Sequence, residues 1–406
     1  MKVLAVADSD SYLKWAACLL GDLPAGSSPE LVVVRTPIAP SPDQIAAAVG
    51  SAAGGAAGGA VNGAAGSGAA VPPVLSARAL RRAAERLRPD AILVACTGPV
   101  VDVLVADVLA DLRPRPVFVS GLPGISVPAT EKAWLFRSGC DLFVLHSERE
   151  VAEFSRIAGR LGGGGALGLA RLPFLRPAAE RGGGGSAVVF ATQAKVPRER
   201  AERERVLLAL AELAARRPDL DVVVKLRALE DERQTHKERH HYQRLWREMG
   251  EPGRLSFAAG SMHDQLARAA GFVTVSSTAA LEAIAQGVPS LVLSDFGVNA
   301  EMINLVFEGS GLLGTLDDLV GADFRDADPA WCAANYFHPR ERGDWAARLA
   351  ELVAEGPREP ARSLLDGPEH AAARRRARLR VEVPPRMLRA GYRARRRVRR
   401  YLKALT

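Results

Sequence analysis

The chain has 406 residues, 48% of them apolar and 25% charged, which is enough for two α/β domains that each bury a core. It has no apolar run long enough to cross a bilayer, and the five apolar residues after Lys2 are too few for the core of a signal peptide. Cys18, Cys96, Cys140 and Cys332 show neither disulfide nor metal-ligand spacing, so a disulfide scaffold is excluded and a cytoplasmic protein is expected.

The first third alternates apolar runs with amphipathic ones. Residues 3–7, 31–34, 91–96, 116–120 and 142–146 read as buried strands, and 11–20, 77–87, 100–112 and 147–160 as helices. Such alternation predicts a parallel sheet covered on both faces. Residues 44–77 hold no charge and are Ala, Gly and Ser-rich over 46–70, which predicts a mobile insertion rather than a phosphate cradle, since no strand precedes the glycines. Glycine runs at 162–165 and 182–185 flank a short strand at 169–173, and the boundary between halves is expected between Leu172 and Ser186.

A second alternating series follows. Strands are expected at 187–191, 221–226, 255–258, 271–275 and 290–294, and helices at 200–216, 239–249, 262–270, 278–286 and 300–307, with a closing helix at 344–355. The fold class is therefore α/β, two Rossmann-like domains facing across a cleft: residues 1–177, residues 186–355, and a basic tail at 374–406. Ligands of open α/β sheets bind at the carboxyl ends of the strands.

The most informative segment runs from Val273 to Pro289. A strand ends, Ser276, Ser277 and Thr278 follow, and a helix opens at once, so backbone N–H groups and the positive helix end face the cleft, suited to phosphate. Glu282 lies one turn below Thr278 on the same face, where a carboxylate can accept from ribose hydroxyls. The plainer alternative is that Ser277 caps the helix and Glu282 complements its dipole. Gly287 should end the helix.

This order, a hydroxyl cluster, then Glu, then Gly-Val-Pro, resembles the donor helix of GT-B glycosyltransferases, in particular the peptidoglycan N-acetylglucosaminyl transferase and the capsule and teichoic-acid polymer transferases. The chain also resembles an actinobacterial group of glycosyltransferases known chiefly as a family of unknown function. The resemblance covers about residues 1–355 as architecture and 187–304 as motif. It implies a nucleotide-sugar donor whose phosphates meet Ser276, Ser277 and Thr278, a ribose held by Glu282, and a glycan or lipid-linked acceptor of the cell envelope. Within the same fold, a glycerophosphate or polyol-phosphate transferase and a nucleotide-sugar 2-epimerase are the alternatives.

Other residues converge on that cleft. Lys225 and Arg227 end a strand with period-two spacing, where the resembling transferases carry Lys-x-His-Pro; here the sequence is Lys-Leu-Arg-Ala, which keeps cations for phosphate but lacks the His. Thr192 and Lys195 follow the first strand of the second half, a usual place for a diphosphate contact. His236, His240 and His241 invite a metal reading, but no carboxylate or Cys completes the set, and no metal and no cofactor are expected. Asp8 and Asp10 follow the first strand and are candidate bases for an acceptor hydroxyl, or caps of the next helix. Glu131, in the loop after the fourth strand, is a third candidate base, and the sequence does not choose among them.

The net charge of +8 is uneven: residues 374–403 hold fourteen Lys and Arg against Glu382 alone, a local +13 that leaves −5 on the remainder. Leu388, Tyr392, Val398, Tyr401, Leu402 and Leu405 interleave with arginines, the composition of an interfacial helix, so an anionic membrane at the inner face is the expected partner. Nucleic-acid binding through the basic tail is the non-enzyme alternative, disfavoured because no RNA-binding motif accompanies the tail and the body is acidic.

Overall fold

A computed structural model of the protein describes residues 1–53, 71–172, 175, 185–227, 238–356, 362–384 and 387–388. His236, the glycines at 182–184, and residues 54–70 and 389–406 lie outside them, so the expectations for the central insertion and for the outer tail helix fall outside the described residues.

The first sheet contains β1 (Lys2–Ala7), β2 (Ser28–Val34), β3 (Val74–Leu75), β4 (Ala91–Ala95), β5 (Val117–Gly121), β6 (Leu142–Leu145) and β7 (Ala166–Leu169), ordered β3-β2-β1-β4-β5-β6-β7. The second contains β8 (Ala187–Ala191), β9 (Asp221–Lys225), β10 (Ser256–Ala258), β11 (Ala269–Thr274), β12 (Ser290–Leu293) and β13 (Leu313–Gly314), ordered β10-β9-β8-β11-β12-β13. Every pairing between these strands is parallel. This is the α/β architecture expected from the apolar runs: buried on both faces, inner strands such as β4, β6 and β8 read as unbroken Val, Leu, Ile, Ala and Phe.

The helices of the first half are α1 (Asp10–Leu20), α2 (Pro42–Ala53), α3 (Ala77–Leu87), α4 (Gly98–Val103), α5 (Glu131–Leu135) and α6 (Glu148–Leu161). Those that follow are α7 (Arg200–Arg216), α8 (Tyr242–Glu248), α9 (Met262–Leu266), α10 (Ala279–Ala285), α11 (Leu316–Val320), α12 (Pro329–Ala334), α13 (Trp345–Ala354) and α14 (Ala371–Glu382). Three of the departures from the sequence expectation bear on the core and the site. Residues 46–53, expected without order, belong to α2, because alanine favours helix and Ile45 and Ala48 are buried in the core that α1 and β1 share. The helix expected at 300–307 is only a 3-10 turn, Leu305–Phe307. There Ile303 has φ +59 and the Asn304 side chain bonds Gly297 O (3.0 Å) and the Asn299 N–H (3.1 Å), which holds the chain in another shape. Residues 131–135, expected as loop, form α5, capped by the Thr130 hydroxyl.

Helices late in the chain pack on both faces of the first sheet. Trp345, Leu349 and Leu352 of α13 pack on one face of the first sheet with Leu13, Trp15 and Val119, and Ala377 and Val381 of α14 pack on its other face with Leu80, Val101 and Phe118. Burying the three large side chains of α13 stabilises the first half by roughly 1.5–3 kcal/mol each. α13, read from the sequence as a closing helix after the second series, thus covers the first sheet, anchored by Asp344 Oδ1 accepting from the Leu169 N–H at 2.7 Å.

Candidate active site

In each sheet the strand order reverses once at the centre, between β1 and β4 and between β8 and β11, and at such a switch point the loops part to leave a crevice. Asp8 and Thr97 stand at the carboxyl ends of β1 and β4. Thr192 and Ser276 stand at those of β8 and β11. Both switch points are therefore occupied by polar residues on otherwise apolar strands.

Asp8 is fully buried. Its Oδ2 accepts from Thr97 Oγ1 at 2.5 Å and from the Thr97 N–H at 2.9 Å, while Oδ1 has no hydrogen-bond partner among the described residues. Burial pushes the carboxyl above its ordinary value, against the Thr97 hydrogen bonds, the nearby Ser9 hydroxyl and the Arg137 charge, which pull it down. Asp10 is the first residue of α1 and pairs with Lys14 at 2.8 Å; the helix starts there rather than at Ser11, with Ser9 as its cap residue. Glu131 is exposed and pairs with Arg160 at 2.7 Å.

Ser9, Tyr12, Thr97 and Phe136 line a cleft of about 400 Å³ together with Lys132, Arg137 and, from the second half, Arg227. Among the described residues three cations and no carboxylate line it. Arg137 is 3% exposed and held from several sides, donating to Tyr12 Oη at 2.8 Å and Gly121 O at 3.1 Å. β9 ends at Lys225, so strand alternation does not extend to Arg227, which instead lines the cleft with first-half residues.

Lys225 is buried, with Nζ donating to Leu226 O at 2.7 Å. Burial lowers its pKa, the charge of Glu282 raises it, and that of Lys14 lowers it again, so Lys225 senses both Glu282 of α10 and Lys14 of the first half. Thr192 is buried at the end of β8, where its N–H (3.1 Å) and Oγ1 (3.2 Å) both donate to Lys225 O. Lys195 is exposed on the loop that follows. That loop is held by Arg203, 1% exposed, which donates to Gln193 O and Ala194 O (3.0 Å each) and Pro197 O (2.8 Å) and pairs with Glu238 at 2.6 Å.

The turn into α10 is equally specified. Ser276 Oγ donates to Ile303 O at 2.6 Å, Ser277 Oγ accepts from the Ala279 N–H at 3.2 Å, and Thr278 precedes the helix with its hydroxyl making no cap bond. Gly287 follows the helix with φ +64, the left-handed geometry that glycine adopts freely. Gly124, on the loop after β5, lies against this turn: a Cβ there would sit 3.1 Å from Thr278 Oγ1, so a bare glycine lets the two halves meet. Val127 of the same loop packs in the core of the second sheet. Fully buried Glu150 completes the join, its Oε1 accepting from Tyr336 Oη (2.5 Å) and the Ser126 N–H (2.8 Å), and its Oε2 from the His146 N–H (2.9 Å).

The structure thus brings Thr192, Lys225, Glu282 and the Ser276–Thr278 turn together around the second switch point, and Asp8 to the first. Thr97, Tyr12, Arg137 and Glu150 were not picked out from the sequence; a Thr directly after an apolar strand was the one available signal. Among the described residues no group of three or more His, Cys, Asp or Glu could hold a metal ion.

The structure resembles solved proteins over nearly its whole length. A UDP complex of MnaA from S. aureus matches 89% of this chain and 99% of its own at 12% identity, with a TM-score of 0.54. UDP-GlcNAc 2-epimerase from Neisseria meningitidis bound to UDP-GlcNAc matches 88% and 100% at 12% identity, TM-score 0.52. A ugt transferase from Siraitia grosvenorii in complex with UDP matches 87% and 99% at 12% identity, TM-score 0.50. A search of curated protein sequences found no match. These likenesses, with the two facing sheets, define a protein of the GT-B fold. Residues 3–352 match the family described as "Putative glycosyltransferase (DUF6716)", and the chain belongs to that family.

Proposed function

We propose that the protein transfers a sugar from a nucleotide-sugar to an acceptor bound at the first switch point. The observation that carries this reading is the pairing of two unlike polar sites on facing sheets: a hydroxyl-rich helix start beside Lys225 and Glu282, and a buried carboxylate, Asp8, hydrogen-bonded to a cleft-lining hydroxyl, Thr97. Family membership and the UDP-bound state of the similar structures support it.

In this reading residues 1–177, with α13 and α14 packed on them, form the acceptor side and 186–344 the donor side. The donor diphosphate lies against the N–H groups at Ser277 and Thr278, with Lys225 offsetting its charge and Thr192 and Lys195 flanking it. Glu282 accepts from the ribose hydroxyls. Asp8, rather than exposed and ion-paired Glu131 or Asp10, is the base. The acceptor O–H passes its proton to Thr97 Oγ1 as the Thr97 proton passes to Asp8 Oδ2; the acceptor oxygen bonds the anomeric carbon, and the bond from that carbon to the diphosphate oxygen breaks. The nucleoside diphosphate leaves with the electron pair. No metal enters these steps. The acceptor is a cell-envelope glycan or lipid-linked sugar, reached at the inner face of a membrane through the basic segment after Leu388.

The same fold would also serve a nucleotide-sugar 2-epimerase, the reading favoured by the UDP-GlcNAc 2-epimerases among the similar structures. Incubation with UDP-sugars separates the two. A transferase releases UDP faster when an acceptor fraction is added and leaves the sugar configuration at C2 intact; inversion at C2 with donor alone would replace the proposal with epimerisation.

A further inference from the structure

A second cavity lies behind one wall of the cleft. Pro99, Lys132 and Phe136 line the cleft, and the same three residues line a cavity of about 210 Å³ closed by Leu135, Leu365, Ala373 and Ala377. The cavity exists because α14 turns small residues toward α4 while ion pairs set their separation: Arg374 bonds Asp102 at 2.9 Å, Asp107 at 3.2 Å and Asp366 at 2.6 Å. Asp102 also accepts from Ser363 Oγ at 2.6 Å. The charges in the lining are thereby matched to each other, and His370 stands 3.5 Å from Glu369. Lys132 is different: it is exposed, has no ion-pair partner among the described residues, and stands where the two cavities share a wall. Beyond it the cleft presents Arg137 and Arg227 and, among the described residues, no carboxylate.

An apolar chamber joined to a cationic cleft through an ammonium with no ion-pair partner among the described residues is complementary to an amphiphilic anion. We propose that the acceptor is an anionic amphiphile, a phosphate ester whose aliphatic chain enters the cavity between α4, α5 and α14 and whose phosphate meets Lys132. The inference rests on the transferase reading for the word acceptor, and on the cavity alone for the chemistry. The chain would gain about fourfold in affinity per buried methylene until the cavity is full. The charge-assisted contact to Lys132 would add about tenfold over an uncharged head group.

The test uses the full chain and titrates butyl, hexyl and octyl phosphate, inorganic phosphate and octyl glucoside by calorimetry, with UDP-induced thermal stabilisation measured in parallel. Affinity should climb along the alkyl series, inorganic phosphate should bind least, and octyl phosphate should exceed octyl glucoside. Ala373→Trp, which fills the chamber from its exposed side, should flatten the chain-length dependence while the UDP response persists. Lys132→Ala should remove the preference for phosphate over glucoside. An affinity independent of chain length, or one that Ala373→Trp leaves unchanged, overturns the proposal and marks the binding as charge attraction to the basic tail. Binding seen only in a chain ending at Leu388 also overturns it, making residues 389–406 the occupant. Alkyl phosphates binding as expected to a chain that no nucleotide stabilises would overturn the transferase reading, and with it the role of acceptor.

Discussion

Replacing Asp8 by Asn should make the protein more stable and less active. Asp8 is a fully buried carboxylate whose Oδ2 takes two hydrogen bonds from Thr97 while Oδ1 takes none among the described residues. Asn keeps an oxygen for both Thr97 donors and removes the buried charge. The amide nitrogen of Asn is left as unpartnered as Oδ1, so the gain is the part of the burial cost that belongs to the charge, about 1–2 kcal/mol at neutral pH. For a domain of this size that is a rise of about 2–8 °C in Tm. The pH dependence has a definite sign. Burial raises the folded-state pKa of Asp8 above 3.8, so the wild type takes up its proton in the folded state first as pH falls. The advantage of Asn should therefore be full at neutral pH and shrink as pH drops through the raised value toward 3.8. Sugar transfer should fall about 10²–10⁴-fold, the usual contribution of a general base. Differential scanning fluorimetry from neutral to acidic pH, beside an initial-rate assay, reads both effects. An Asn variant less stable than wild type at neutral pH, or a stability difference flat across pH, refutes the account of Asp8 as a strained buried carboxylate.

Three further outcomes are expected. Glu282→Gln should weaken binding of UDP more than of 2′-deoxy-UDP by calorimetry, because the deoxy ligand has already lost one of the two hydroxyls the carboxylate accepts from; equal losses would return Glu282 to a helix-dipole role. Tyr336→Phe removes a 2.5 Å donor from buried Glu150 and should lower urea-unfolding stability by about 1.5–3 kcal/mol, with no loss meaning that the join between halves does not depend on it. Sedimentation with anionic vesicles should pull down the full chain at low salt and not a chain ending at Leu388, since each basic residue near such a surface adds about 1 kcal/mol; equal sedimentation of the shortened chain would place membrane attachment elsewhere.

The sheets were legible because a strand buried on both faces has a simple composition, and runs such as Val3–Ala7 or Ala187–Ala191 have no other reading as short, bounded apolar segments. The two-residue edge strands β3 and β13 were not, because two residues carry no periodicity. The return of α13 and α14 to the first sheet was hidden for a different reason. Their apolar faces are ordinary, and only tertiary packing decides which sheet Trp345 and Ala377 cover. Arg374, counted with the tail by composition, is ion-paired to three aspartates, which charge runs along the chain cannot reveal. Of the site, the strand ends and the start of α10 were legible, since a hydroxyl cluster between strand and helix is a local pattern. Thr97 and Arg137 were not, because their roles come from side chains far away in sequence, Asp8 and Tyr12.

Whether the second switch point holds a nucleotide is read from thermal denaturation of wild type and Lys225→Met with UDP, GDP, CDP and CMP. A ligand at about 100 times its Kd adds about 2.7 kcal/mol to the folded state, a shift of several degrees. One of these nucleotides, UDP first, should raise the wild-type Tm by that amount, and Lys225→Met should lose most of the shift. A wild type that none of the four stabilises, or a Lys225→Met variant that responds in full, would contradict a nucleotide site there.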